Sequence, residues 1–212
     1  MTALHDESGR RDARDRAKLD CVRDRQARLA VAAVRRGDAE AFGQLVELYQ
    51  SDIMSLSTAL LKDVTAAEEL AQDIFVRAFR YLHTFDNRRR FYPWLATIAY
   101  RLAQTQWREQ TALASRVEEM SNGMTGASAQ NEALAMLIRD EQSTRLWKAV
   151  SDLPFGQRVS VVLYYQQGMG IGQVARVLGV SAGTVKTCLF RARRSLETML
   201  QPPDSPAAVR ED

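Results

Sequence analysis

Cysteine and histidine are nearly absent from the chain: two of each occur in 212 residues. Cys21 and Cys188 stand far apart, outside any CxxC or Cys/His cluster, and His5 and His83 are equally isolated. That argues against a disulfide framework and against a zinc site. Long apolar runs are missing as well: no stretch of eighteen apolar residues occurs, and the opening MTALHDESGRRDARDR is charged where a secretion signal needs an apolar segment. Neither membrane insertion nor Sec export is expected, and the expected location is the cytoplasm. Phosphate-binding loops, nucleophile–base pairs and metal-ligand clusters are absent too, so neither enzymatic activity nor a cofactor is expected. Period-two alternation is scarce, which argues against a fold built on strands.

What the chain does have is charge, unevenly spread. Hydrophobic residues make up 46% and charged residues 26%, a globular balance that supports one medium domain or two small ones. Residues 38–86 carry nine acids against three bases, whereas 87–108 carry five arginines and no acid. Residues 151–200 hold six bases against two acids. One acidic and two basic surfaces point to a protein partner for the first and a polyanion for the others; the competing reading is solvated helix faces.

Apolar residues recur at steps of three and four, so the predicted fold is all-α: two small helical domains joined by a flexible linker. Asp38 is expected to cap a helix carrying Phe42, Leu45, Val46, Tyr49, Ile53, Leu56 and Leu60 on one face. Thr65 and Glu68 form a T-x-x-E capping box for the next helix, and Pro93 suits the first turn of a third. The expected boundaries are a charged N-terminal extension over 1–29, a first domain over 30–112, a linker over 113–134, a second domain over 135–201 and a tail over 202–212.

In the second domain the spacing becomes diagnostic. Ala175 is small where two helices would cross, Gly179 follows at four where the chain must turn, and Val185 comes six later where the next helix returns to the core. That is the pattern of a helix-turn-helix. Ser181 caps the second helix, whose inner face is Val185, Leu189, Ala192 and Leu196. Thr184, Thr187, Arg191 and Arg194 form the opposite face, with Lys186 and Phe190 flanking, a set suited to base edges and phosphates. A solvent-facing amphipathic helix is the plainer reading. Cys188 falls at the edge of the inner face and reads as a small packing residue.

At this point the residues resemble a family, the extracytoplasmic-function sigma factors of the bacterial sigma-70 family. GTVK followed by FRARRSL looks like their promoter-binding C-terminal domain; GDAEAFGQLVELY, AEELAQDIFVRAF and FDNRRRFYPWLATIA resemble their N-terminal domain in the right order. The resemblance implies docking on core RNA polymerase, at the β′ clamp helices and the β flap, with Glu69, Gln72, Asp73 and Phe75 in the clamp contact. It implies capture of an unstacked −10 base by the loop FDNRRRF and the helix after it, through Phe85, Asn87, Arg88, Phe91, Trp94 and Arg101. Phe75 is equally open to a core role, and for Phe91 and Trp94 a core role is favoured over a pocket wall. Ser181, Thr184, Lys186, Thr187, Phe190, Arg191 and Arg194 would read the −35 element of promoter DNA. Control by an anti-sigma factor is also implied. Where the family often has Asn and Asp after the WL pair, this chain has Arg101 and Thr105, and GTVKTC replaces the usual GTVKSR. The alternative is a helix-turn-helix regulator that acts without core polymerase.

Overall fold

The computed structural model describes residues 21–61, 63–120 and 141–201, and helices hold nearly all of them. The first unit begins with α1 over 21–35, which buries a narrow stripe of Ala27, Ala30 and Val31. The extension expected over 1–29 is therefore part of this unit from residue 21 onward, and residues 1–20 lie outside the described residues. Two ion pairs fix α1 to later elements: Arg23 with Asp52 at 2.6 Å and Arg90 with Asp24 at 2.7 Å. Asp38 caps a short 3-10 turn, Ala39–Ala41, that leads into α2 (Phe42–Leu60).

Helix α3 (Val64–Tyr81) starts differently from the expected capping box. Asp63 is its N-cap and accepts from the Ala66 amide at 2.7 Å, a carboxylate at the positive end of the helix dipole. Leu70 and Ile74 are fully buried on its inner face, each contributing about 1.5–3 kcal/mol by leaving water. Helix α4 (Phe91–Met120) carries Pro93 in its first turn and runs beyond the expected domain boundary. Its second half lacks an apolar stripe, but Ala, Leu, Arg, Glu and Gln have high helix propensity, and that is enough to prolong it.

The second unit comprises α5 (Glu141–Ser151), α6 (Phe155–Val161) continued by one π turn (Val162–Gln166), α7 (Ile171–Leu178) and α8 (Ala182–Leu200). The expected linker lies largely outside the described residues. The two units pack directly on each other. Arg158 is 5% exposed; it donates to the Ser151 carbonyl at 2.7 Å and, across the units, to that of Leu60 at 3.0 Å. It thereby satisfies a carbonyl at the C-terminal end of α2, where a cation is favoured. Burial lowers its pKa, against a smaller opposing pull from Asp152. Phe155 stacks on Tyr100 and on Trp107, with ring centroids at 6.1 and 5.4 Å, and Gln166 donates to Ser55 at 2.6 Å. Beside this seam, burial pushes the Tyr49 hydroxyl up to about 12, with Asp24 adding to it.

Candidate nucleic-acid interface

Two helices at a sharp corner build the first surface. Helix α7 opens with Gly170, whose amide donates to Gln173 Oε1 at 3.0 Å, and closes at Gly179 with φ +68°. A side chain at that left-handed position is strained, so glycine sets the corner. Ser181 then caps α8, accepting from the Thr184 amide at 3.0 Å and sharing a 2.9 Å hydrogen bond with the Thr184 hydroxyl. Ala175 is buried at the crossing, and Val185, Leu189 and Ala192 bury the inner face of α8. The turn and cap are those expected from the sequence, and so is the core but for Leu196, which is half-buried.

The outer face of α8 presents Thr184, Lys186, Thr187, Phe190, Arg191 and Arg194 to solvent, with the Phe190 ring 57% exposed. No acid occurs on α8 before Glu197. Ser181 stands apart from this set: its oxygen is engaged in the cap, so its part is to fix the helix start. The Thr187 hydroxyl donates to the Gly183 carbonyl at 3.1 Å yet stays at the surface. Cys188 is a half-buried free thiol at the edge of the inner face, and Cys21 is an exposed one.

The second basic surface is the loop between α3 and α4, whose aromatic residues turn towards the core. Phe85 and Phe91 are 3% and 2% exposed and meet edge to face with centroids 5.2 Å apart; Trp94 packs on both at 5.3 and 5.4 Å. Phe85 and Phe91 are core residues and Trp94 is half-buried against them, because burying two rings in an aromatic cluster stabilises more than leaving them beside solvent. The Asn87 Oδ1 atom is buried without a hydrogen-bond partner. Arg88, Arg89 and Arg101 are exposed. Asp86 organises the loop by accepting from the Arg88 amide at 3.0 Å and pairing with Arg89 at 3.4 Å. Arg35 of α1 reaches across to donate to the carbonyls of Leu82, at 3.0 Å, and Phe85, pinning the start of the loop.

Two grooves complete the surface. Glu69, Gln72 and Asp73 are exposed on α3 and Phe75 is half-buried. Gln72 and Phe75 line an open groove of about 540 Å³, whose opposite wall is Val46, Gln50 and Met54 of α2. The sequence places Val46 on the inner face and does not single out Gln50 or Met54, although the i, i+4, i+8 spacing of the three marks one helix face. A mainly apolar groove of about 350 Å³ lies on the second unit among Leu146, Trp147, Val150, Val161, Tyr165 and Leu196, with Gln166 and Arg193 also lining it. Leu146 and Tyr165 are large exposed hydrophobic residues there, a sign of a docking site rather than a closed core. Among the described residues, no group of three or more metal-ligating side chains occurs, and no helix is long and apolar enough to cross a membrane.

A helix-turn-helix with a basic outer face, joined to a second helical unit carrying a basic loop and an acidic helix, defines a DNA-reading protein that also docks on protein. Known proteins make this specific. The family model for sigma-70 region 2 matches residues 45–112, and that for sigma-70 region 4 matches residues 143–196. The RNA polymerase sigma-H factor of Pseudomonas aeruginosa is 29% identical over 81% of this chain and 92% of its own length. The ECF RNA polymerase sigma factor SigW of Bacillus subtilis is 28% identical over 81% of this chain and 95% of its own. Among solved structures, CnrH in complex with the cytosolic domain of CnrY superposes with a TM-score of 0.62 at 26% identity, over 82% of this chain and 97% of that one. The chain belongs to the sigma-70 family, as a sigma factor of the extracytoplasmic-function type. It is thus an RNA polymerase sigma factor, and a regulator working without polymerase is not favoured.

Proposed function

We propose that the first unit, from α1 to the middle of α4, binds core polymerase and the melted −10 strand, while the second unit reads the −35 element through α8. The observation that carries this division of labour is the outer face of α8. It is capped, held by a buried inner face and lined with exposed hydroxyls and cations, in a chain whose acidic face lies on another unit. Thr184, Lys186, Thr187, Phe190, Arg191 and Arg194 contact base edges and phosphates, and Ser181 sets their register. Asn87, Arg88 and Arg101, with Trp94 behind them, hold the unpaired strand. Phe85 and Phe91 support that surface from inside.

Glu69, Gln72, Asp73 and Phe75 dock on the β′ clamp helices, and the apolar groove of the second unit receives the β flap. The protein carries out no bond chemistry and works in the cytoplasm. CnrH has been solved with a protein partner, the cytosolic domain of CnrY, and we assign to this chain an anti-sigma partner that covers the two polymerase-binding grooves. Reversal of charge at Glu69 and Asp73 to lysine tests the core contact. Native gels with core polymerase should show no holoenzyme, while the −35 DNA affinity of the variant stays unchanged. Normal assembly of the variant would count against the clamp assignment.

A further inference from the structure

The rings expected to meet an unpaired base, Phe85, Phe91 and Trp94, are committed to the core or packed against it. A strand passing over the basic loop therefore meets a different ring. Tyr81, the last residue of α3, is 53% exposed. The backbone beneath it is held from several sides. Leu82 begins a 3-10 turn, Leu82–Thr84, and is buried. The Thr84 hydroxyl donates to the Tyr81 carbonyl at 2.7 Å, and Arg35 donates to the Leu82 carbonyl. The His83 ring lies 6.4 Å away, tilted by 35°. Arg77 sits one helical turn back on the same face, Arg80 is adjacent, and Arg88 and Arg89 follow in the loop, all exposed. An exposed ring on a held stretch of backbone, with a cation one turn back and further arginines close in sequence, suits a single strand: the ring takes the base and the cations take the phosphates.

We propose that Tyr81, with His83 beside it, is a stacking platform for an unpaired DNA base. It extends the strand-capturing surface beyond the loop and sets which base position is held. This rests on reading the loop as the strand-capturing element. Stacking on one ring is worth about 1–3 kcal/mol, which converts to roughly five- to hundredfold in affinity.

The test uses holoenzyme assembled from the full chain and core polymerase. Its probe is a forked DNA carrying the promoter from which that holoenzyme initiates, with 2-aminopurine placed in turn at each unpaired non-template position. One position should be quenched on binding. Tyr81→Ala should abolish that quench and weaken fork binding five- to hundredfold while core binding is unchanged, whereas Tyr81→Trp should keep both. His83→Ala should cause a smaller loss. Persistence of the quench and of fork affinity in Tyr81→Ala would overturn the proposal. So would weakened core binding, which would make Tyr81 a protein contact. If no position is quenched in the wild type and Arg88→Ala with Arg89→Ala leaves fork affinity intact, the reading of the loop fails along with the platform. If those arginines matter and the quench survives loss of Tyr81, the platform alone fails.

Discussion

Helix α8 and the loop between α3 and α4 are both basic, both exposed and both assigned to DNA, yet they are built in opposite ways. On α8 the helical period separates the roles: every third or fourth side chain goes inward, as Val185, Leu189 and Ala192 do, and the chains between them are free to meet DNA. In the loop no period separates inside from outside. Each aromatic ring goes wherever its burial is most favourable, and the core takes Phe85 and Phe91. Tyr81, on the last turn of α3, remains outside. A regular element allows specificity residues to change without cost to the core, whereas in the loop the same aromatic residue type can serve either purpose.

That contrast can be broken at its strongest point first. Phe91→Ala should cost about 3–5 kcal/mol of stability, because it opens a cavity in the aromatic cluster; thermal unfolding followed by circular dichroism reads this as a large fall in Tm. A near-normal Tm combined with lost −10 melting would return Phe91 to the DNA surface. Arg158→Ala comes next, since it leaves the Ser151 and Leu60 carbonyls without their donor and should cost about 1–3 kcal/mol. The loss should appear as a larger separation of fluorophores placed on the two units. An unchanged separation would mean that the aromatic stack alone holds the seam.

On α8 the expected effects are functional rather than structural. Arg191→Ala should weaken promoter-specific binding by holoenzyme by about 1–3 kcal/mol and leave Tm and core binding as they were. Footprinting at the −35 element measures this, and an equal loss of core binding would indicate misfolding. Smallest of all, Ser181→Ala should lower stability by about 1 kcal/mol through loss of the cap, with no change in which promoter is chosen. A changed promoter preference would place Ser181 in the reading set after all.

Legibility followed the same physics. The helix-turn-helix was readable to the residue, because Gly179, Ser181 and Val185 each have a local reason for their position. The start of α3 was misread by two residues, since Asp63 and Thr65 are both competent caps and only geometry decides between them. Helix α4 continues past the expected boundary because propensity can sustain a helix that no apolar stripe announces. The ion pairs of Arg23 with Asp52 and Arg90 with Asp24 join residues far apart in the chain, so nothing local marked residues 21–29 as part of the first unit. The seam between units was hidden for the same reason: Arg158 and Phe155 look like ordinary helix-start residues until Leu60, Tyr100 and Trp107 are brought to them.

The central claim is that both regions act together, within polymerase, to choose a promoter. Run-off transcription with purified core polymerase on the DNA upstream of the chain's own gene tests this most directly. Initiation from a defined start that requires the protein, and that weakens on mutation of either α8 or the loop, is the result expected here. Absence of core-dependent initiation from any promoter, alongside specific binding of the protein alone to DNA, would contradict it.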